Sequence, residues 1–238
     1  MRLMKCAGGV AAAQSEDHRA GGGASPIPAL QQLRVKPVPF VVARKLLERE
    51  HYLHSFPGGT KLAFGAFVGA SLLGALTLGA GPANAYALVS GANPDDCLTL
   101  SRLWLSDELP RNSESRFIGI VLRPLRKNTG LKFLVSYADP VQGHLGTIYQ
   151  ATGWVYTGLS QATPLYDIGD GRQYHSRSLS HSFGSHGLAH FQRHGINVKL
   201  VPQAAKHRYV YFLDPAWRAR LRVPALPYPK RKVSGESN

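Results

Sequence analysis

The chain has 238 residues, 44% of them hydrophobic, which is enough to bury a sizeable core in one domain with short extensions. Its 28 Lys and Arg residues against 14 Asp and Glu residues give a net charge of +14, which favours a polyanionic partner, either nucleic acid or an anionic membrane face, over a merely soluble basic surface. Two cysteines argue against a disulfide scaffold and fit a reducing compartment.

The N-terminal part of the chain predicts an extension followed by a helix. Residues 1–34 include a stretch of Gly, Ala, Ser and Pro at 21–26, typical of a disordered or linker segment. The first thirteen residues are too short and too rich in Gly and Ala for a convincing signal peptide. Residues 37–54 alternate apolar and charged side chains with helical periodicity.

Residues 62–78 are almost entirely apolar, and two structures would explain them. A transmembrane helix is one, since residues 62–94 contain no charged residue. A hairpin of two buried strands that turns between Gly69 and Ser71 is the other. The repeated glycines and the aromatic and β-branched residues favour the hairpin.

The remaining elements alternate between strands and helices. Strands are predicted at residues 97–104, 131–137, 154–158 and 207–213, and helices at residues 110–127 and 145–151. Asn112 or Ser113 is placed to cap the first of these two helices. This order predicts an α/β fold in which helices pack on a sheet. We expect a catalytic domain over residues 35–223 and a basic tail over residues 224–238.

Positive charge is concentrated towards the C-terminus. Residues 171–233 hold twelve Lys and Arg residues against one acid, Asp214, which indicates an electropositive face or arm. On a helix, His186, His190 and His194 would share one face and could bind a metal, but the neighbouring glycines disfavour a helix. We therefore interpret residues 171–195 as a loop that faces nucleic acid.

Two clusters of candidate site residues lie in the first half of the chain. His51 and Tyr52 lie at the end of a predicted helix, where imidazoles act as bases or metal ligands, or merely face solvent beside a packed tyrosine. Arg102 lies on a strand that leads to the helix starting near Ser113, and helix N-termini receive anions. The alternative for this second cluster is helix capping together with a surface Arg–Asp pair.

Asp139 and Tyr149 are the candidates in the second half of the chain. Asp139 comes at the end of a predicted strand, and ligands of open α/β sheets bind outside the carboxyl ends of the strands. A carboxylate there suits a general base or a metal ligand. Tyr149 lies on the next helix, where its phenol either donates a proton to a leaving group or packs in the core.

Taken in order, these segments resemble the phage Mom family. The resemblance covers roughly residues 40–215 and depends on the joint order of His51-Tyr52-Leu53-His54, Gly81-Pro82, Arg102-Leu103-Trp104 with Asp107, Arg111-Asn112-Ser113-Glu114-Ser115, Val135-Ser136-Tyr137-Ala138-Asp139, Gly143-His144, Gly146-Thr147-Ile148-Tyr149-Gln150-Ala151 and Lys206-His207-Arg208-Tyr209. It implies a fold related to the GNAT acyltransferases, with a central mixed sheet flanked by helices. It also implies a transferase that converts the N6 amine of adenine in phage DNA to the carbamoylmethyl form and so protects the DNA from host restriction.

A reaction of this kind would need an acid, a base and an electrophilic group. Acyl transfer from a glycyl donor would give an amide at N6, so the carbamoylmethyl product requires a rearrangement that a metal would assist. We assign Asp139 as base or metal ligand and Tyr149 as acid or metal ligand. His51 and Tyr52 are further candidate ligands, and a transition metal such as iron is the candidate ion. Tyr52 is also a candidate to stack on an extruded base.

The start of the helix near Ser113 supplies the remaining candidates. Arg102 and Ser113 are expected to bind the donor or a DNA phosphate, and Arg111, Asn112 and Ser115 the cofactor. GNAT proteins cradle CoA on a Gln/Arg-x-x-Gly-x-Gly/Ala loop at a helix start. That pattern is missing here, which argues against acetyl-CoA and leaves an acyl or glycyl donor unidentified.

The expected partner is double-stranded DNA, contacted at adenine in the host cytoplasm, and neither a membrane nor an export signal is expected. A homodimer is an open alternative. Two rival functions also stay open. One is a conventional GNAT N-acetyltransferase that uses acetyl-CoA, and the other is a basic DNA-binding protein without catalysis.

Overall fold

The computed structural model describes residues 32–184 and 187–231. The strands are β1 (Arg34–Pro37), β2 (Thr60–Val68), β3 (Ser71–Gly79), β4 (Cys97–Leu105), β5 (Phe133–Ala138), β6 (Val155–Leu159), β7 (Leu165–Asp167), β8 (Gln173–Tyr174), β9 (Lys199–Val201) and β10 (His207–Phe212). The helices are α1 (Phe40–Glu50), α2 (Ser113–Asn128), α3 (Thr147–Gln150), α4 (Ser176–Phe183) and α5 (Leu188–Arg193). The predicted helices and strands of the central domain are therefore confirmed, with their ends displaced by a few residues.

The central sheet is mixed, with the order β1-β2-β3-β4-β5-β10-β6. Its strands pair antiparallel except for β4 and β5, which are parallel. The connection between these two parallel strands is α2, as a parallel crossover requires. Strand β10 comes last in the chain but lies between β5 and β6, so the late basic segment enters the middle of the sheet.

Two apolar layers enclose this sheet. On one face α2 buries Phe117, Ile118 and Val121 against sheet residues that include Leu76 and Leu134. The opposite face receives α1, through the buried side chains of Ala43, Leu46 and Leu47. The predicted fold class is confirmed, because a mixed sheet is flanked by helices on both faces.

The apolar segment at residues 62–78 forms the predicted hairpin. Strands β2 and β3 pair antiparallel, and Gly69 turns the chain between them with a φ of 59° that favours glycine. In the part of the chain that the structure describes, no helix is long and apolar enough to cross a membrane.

Three features differ from the sequence-based expectations. Strand β1 was not predicted, and neither was a second sheet in which β7 pairs with both β8 and β9. The segment at residues 171–195, interpreted as a loop, contains α4 and α5 instead. The loop prediction was wrong because the glycines lie at helix ends, where Gly184 comes after α4 with a φ of 70° and Gly187 precedes α5.

His186 lies outside the described residues, as do residues 1–31 of the predicted extension and residues 232–238 of the predicted tail.

Candidate functional site in the β4–β5 cleft

The two parallel strands separate after a short paired stretch. Cys97–Leu100 of β4 pairs with residues 133–136 of β5, but the rest of β4 pairs only with β3 and the rest of β5 only with β10. A wedge-shaped opening therefore lies at the carboxyl ends of both strands, which is where open α/β sheets bind ligands. We call this opening, with His51, Tyr52, Arg102, Asp139 and Tyr149 around it, the β4–β5 cleft.

A bulge in β4 determines where Arg102 points. Leu100 is opposite Leu78 and Arg102 is opposite Thr77, so Ser101 is an extra residue between them. Because one extra residue reverses the alternation of a strand, Arg102 leaves the face of Leu100 and turns towards the end of α1. There its guanidinium donates to Ser55 Oγ at 3.2 Å, and it also donates to the carbonyl oxygen of Ser101 at 2.7 Å.

Arg102 is a half-buried cation with unused binding capacity. Its Nε is buried and has no hydrogen-bond partner, and no ion pair among the described residues involves this side chain. Burial lowers the pKa of Arg102, an effect that Tyr52 opposes. A buried guanidinium without a carboxylate partner is costly to maintain, so its position indicates an anionic or carbonyl ligand.

The end of α1 presents an aromatic side chain to the cleft. His51 is only 6% exposed, and its Nδ1 accepts a hydrogen bond from the Leu53 backbone N–H at 3.1 Å. The Tyr52 ring stacks on this imidazole at 4.4 Å and meets the His144 ring edge-on at 5.9 Å. Tyr52 itself is 43% exposed, so part of its ring is accessible to a planar ligand.

Asp139 directly follows β5 at the mouth of the cleft. Its Oδ1 accepts from the Val141 backbone N–H at 3.0 Å, and its Oδ2 lies 3.1 Å from Lys206 Nζ. Burial raises the pKa of Tyr52, and the negative charge of Asp139 raises it further. Asp139 is therefore close enough to Tyr52 to interact with it electrostatically.

Tyr149 lies beneath the cleft rather than on its surface. Its hydroxyl is 2.8 Å from Ser136 Oγ, which also donates to the Leu100 carbonyl oxygen at 3.0 Å. Its ring packs against Trp154 and Tyr209 at 5.1 Å and 5.3 Å. Burial raises the pKa of Tyr149 to about 12, although the hydrogen bond with Ser136 opposes this shift. The phenol therefore keeps its proton at neutral pH.

The start of α2 uses its polar groups locally. Asn112 precedes the helix with a φ of 69°, and its side chain makes no capping hydrogen bond. Ser113 Oγ donates to the Pro110 carbonyl oxygen at 2.6 Å, and Ser115 Oγ to the Asn112 carbonyl oxygen at 3.0 Å. The capping prediction for Asn112 or Ser113 was therefore wrong, because these bonds stabilise the turn before the helix. The binding roles of Arg111, Asn112, Ser113 and Ser115 stay predictions.

The structure thus brings part of the predicted site together. Ring contacts and charge interactions connect His51, Tyr52, Arg102, Asp139 and Tyr149. Within residues 32–184 and 187–231, no hydrogen bond or ion pair joins the start of α2 to this group. Sequence reasoning assigned no role to Ser136, His144 or Lys206. Their one signal in the sequence is that all three lie in the motifs that carry the family resemblance.

A metal does not fit the predicted ligands as they are arranged. No three His, Cys, Asp or Glu side chains of the described residues come together as a metal-binding group. His51 Nδ1 and both Asp139 oxygens already have partners, and the Tyr149 phenol is protonated. The metal role of His51, Tyr52, Asp139 and Tyr149 stays a prediction.

The buried imidazole of His51 makes a testable contribution to stability. Burial and the neighbouring Arg102, His144 and His54 lower the pKa of His51 from 6.5 to about 4. Below pH 6.5 this residue binds a proton in the unfolded chain but stays neutral in the folded chain until the pH approaches 4. The free energy of unfolding therefore falls as the pH falls. Between pH 7.5 and pH 5 the loss is about 2 kcal/mol.

Urea denaturation at these two pH values will measure that loss against a His51→Asn variant. The Asn side chain keeps an acceptor for the Leu53 N–H but does not titrate. The variant should therefore lose about 2 kcal/mol less stability than the natural chain on acidification. Equal losses in both proteins would contradict a neutral, buried His51.

Comparison with known proteins adds sequence relationships to this geometry. Residues 32–230 match the Mom protein family. The chain is 30% identical over 208 residues to the methylcarbamoylase Mom of Escherichia phage Mu, covering 84% of this chain and 85% of that protein.

Several solved structures have a similar chain path. An N-acetyltransferase from Staphylococcus aureus has a TM-score of 0.42 and 12% identity, covering 76% of this chain and 97% of that one. Arabidopsis thaliana NAA60 in complex with acetyl-CoA has a TM-score of 0.47 and 11% identity, covering 76% and 98% of the two chains.

Proposed function

The chain belongs to the Mom protein family, and from this premise we propose that it is a transferase that modifies phage DNA. In finer detail, it converts the N6 amine of adenine to the carbamoylmethyl form, which protects the DNA from restriction. A relative named a methylcarbamoylase supports this proposal. The observation that carries it is the β4–β5 cleft, where an exposed aromatic ring, a carboxylate and an unpaired cation surround one opening.

Each of these groups meets one chemical requirement of the proposed reaction. Adenine is stacked and paired in duplex DNA, so its base must be extruded before its amine can react. Tyr52 offers a ring on which an extruded base would stack, supported from behind by His51 at 4.4 Å. Asp139 accepts the proton that N6 loses as N6 bonds to the carbon of the donor, and the group that this carbon carried leaves with its bonding electrons.

The donor would be held by Arg102. Its half-buried guanidinium, which has no ion-pair partner among the described residues, suits the carbonyl or anionic end of an acyl or glycyl compound. Tyr149 retains its proton, and its hydroxyl is hydrogen-bonded with Ser136 beneath the cleft, where it supports the β5 side of the opening. Acetyl-CoA stays a poor candidate for the donor, because the Gly-x-Gly/Ala pattern is missing before α2.

The charge of the protein fits a DNA substrate. A net charge of +14 draws the protein to the phosphate backbone and accelerates encounter. Phosphate contacts position the duplex but do not select a base, so selection of adenine would depend on the cleft.

Nucleoside mass spectrometry of plasmid DNA from cells that express the chain tests the proposal. We expect a deoxyadenosine that carries the mass increment of a carbamoylmethyl group, absent from DNA of cells with the empty vector. Titration of the purified protein with acetyl-CoA accompanies this measurement. Unmodified adenine together with tight acetyl-CoA binding would replace our proposal with a conventional acetyltransferase. Unmodified adenine with DNA binding alone would indicate a non-catalytic DNA-binding protein.

A further inference from the structure

The C-terminal residues 224–231 form a strap across the free edge of the central sheet. Strand β6 is the last strand of that sheet and pairs with β10 on one side only. On its other side, the Leu226 backbone N–H donates to the Tyr156 carbonyl oxygen at 2.9 Å. The Tyr228 hydroxyl donates to the Trp154 carbonyl oxygen at 2.8 Å. The strap therefore satisfies backbone groups that an exposed edge strand would leave free.

The strap is held firmly enough to position Lys230 and Arg231. Pro224, Pro227 and Pro229 restrict its backbone, which reduces the entropy lost on ordering it. The Tyr228 ring lies 6.5 Å from that of Tyr209, which in turn packs against Tyr149. Lys230 and Arg231 come directly after these anchors.

The two cations line an open groove next to the cleft. The groove has a volume of about 550 Å³ and is formed by Pro140, Gly143, Leu145, His207 and residues 229–231. Pocket volumes of about 300–1,000 Å³ admit small ligands or single units of larger ones. Since Asp139 directly precedes Pro140, the groove begins where the cleft ends.

Lys230 and Arg231 are the cations of this region that keep their charge available. Lys206 is paired with Asp139 at 3.1 Å. Arg208 donates to Thr157 Oγ1 at 2.8 Å and to the Thr157 carbonyl oxygen at 3.2 Å. No ion pair within residues 32–184 and 187–231 involves Lys230 or Arg231. Asp139 at the groove mouth is therefore neutralised, and the charged side chains of the described residues that line the groove, Lys230 and Arg231, are both positive.

We propose that the strap holds Lys230 and Arg231 at this groove to bind backbone phosphates of the DNA strand that carries the target adenine. The inference depends on the proposed DNA substrate and adds the position of the backbone relative to the cleft. Two charge-assisted contacts beside the cleft would fix the register of the duplex, so that one extruded base reaches Tyr52 and Asp139. The C-terminal tail is then part of the DNA-binding surface.

Fluorescence anisotropy with a labelled DNA duplex tests this proposal. A Lys230→Ala/Arg231→Ala protein should bind roughly tenfold more weakly at low salt. The slope of log affinity against log salt should fall by about 1.8, because each lost phosphate contact removes about 0.9. A Lys230→Arg/Arg231→Lys protein keeps both charges and should bind like the natural chain. The anchors at Leu226 and Tyr228 remain in each variant, so the fold should persist, which circular dichroism will verify.

The matched control is Arg34→Ala/Lys36→Ala in β1. It removes the same charge from exposed positions at the opposite edge of the sheet, roughly six strand spacings or about 29 Å away. Its salt slope should stay near that of the natural chain.

If both double variants lower the affinity for DNA and the salt slope equally, the strap has no special role and this inference is overturned. Modification of DNA by the natural chain would still support the proposed function. If the natural chain neither binds nor modifies DNA, both proposals are wrong.

Discussion

Asp139→Asn should reduce the modified adenine in cellular DNA by at least about 100-fold, the usual contribution of a positioned general base. The amide oxygen of Asn can still accept from the Val141 N–H, so the turn after β5 should keep its shape. The variant loses the negative charge that faces Tyr52 and pairs with Lys206. Quantitative nucleoside mass spectrometry measures the effect, with expression levels matched by immunoblot.

Asp214→Asn is the control for this experiment. Asp214 has the same local role as Asp139, since its Oδ1 accepts from the Ala216 N–H at 3.1 Å and its carboxylate lies 3.9 Å from Lys132 Nζ. It lies at the opposite end of β10, away from the cleft. Its variant should therefore modify DNA normally. A folded Asp139→Asn protein with full activity would remove the carboxylate from the mechanism, and equal loss in both variants would point to a structural role.

Arg102→Met should separate activity from stability. Modification should fall by at least roughly 100-fold, because the donor loses the cation that binds its carbonyl or anionic end. The free energy of unfolding should stay within about 1 kcal/mol of the natural chain or rise, because an apolar side chain replaces a half-buried charge that has no carboxylate partner. Such an outcome is typical of a residue kept for function at a cost in stability.

Arg208→Met is the stability comparison for Arg102. Arg208 is also a sheet arginine, but it is bonded to the buried Thr157 through both its Nε and one Nη. Removing it leaves these acceptors without a partner and should cost about 1–3 kcal/mol. Urea denaturation of both variants measures their free energies of unfolding, and the modification assay measures their activities. A comparable loss of stability in Arg102→Met, or intact modification, would contradict the role we give to Arg102.

Local signals along the chain were sufficient for most elements of the central domain. Hydrophobic periodicity located α1 and α2, and repeated glycines with aromatic and β-branched residues located the strands of the hairpin, since both signals depend on neighbours within a few residues. The charge balance indicated a polyanionic partner, and the order of the motifs along the chain indicated the family. Sequence patterns did not reveal four short strands, because two to four residues are too few to display a hydrophobic period; these strands are β1, β7, β8 and β9.

Local sequence signals gave a wrong prediction where a glycine could either disrupt a helix or mark its end. A glycine inside a helix destabilises it, whereas a glycine after its last residue terminates it well. Residues 171–195 were interpreted in the first sense, but Gly184 comes directly after the last residue of α4 and Gly187 directly before the first residue of α5. Sequence spacing does not distinguish these cases, because the difference depends on where the backbone hydrogen bonds stop.

The sequence by itself therefore determined the family, the element types and the choice of Asp139, Tyr52 and Arg102 as candidates. The tertiary structure alone decided how they meet. The bulge that turns Arg102 towards Ser55, the pairing of Lys206 with Asp139 and the burial of Tyr149 against Ser136 and Tyr209 all join residues distant in the chain. Strand register and side-chain contacts of this kind depend on which distant segments pack together, and no local pattern of residues records that choice.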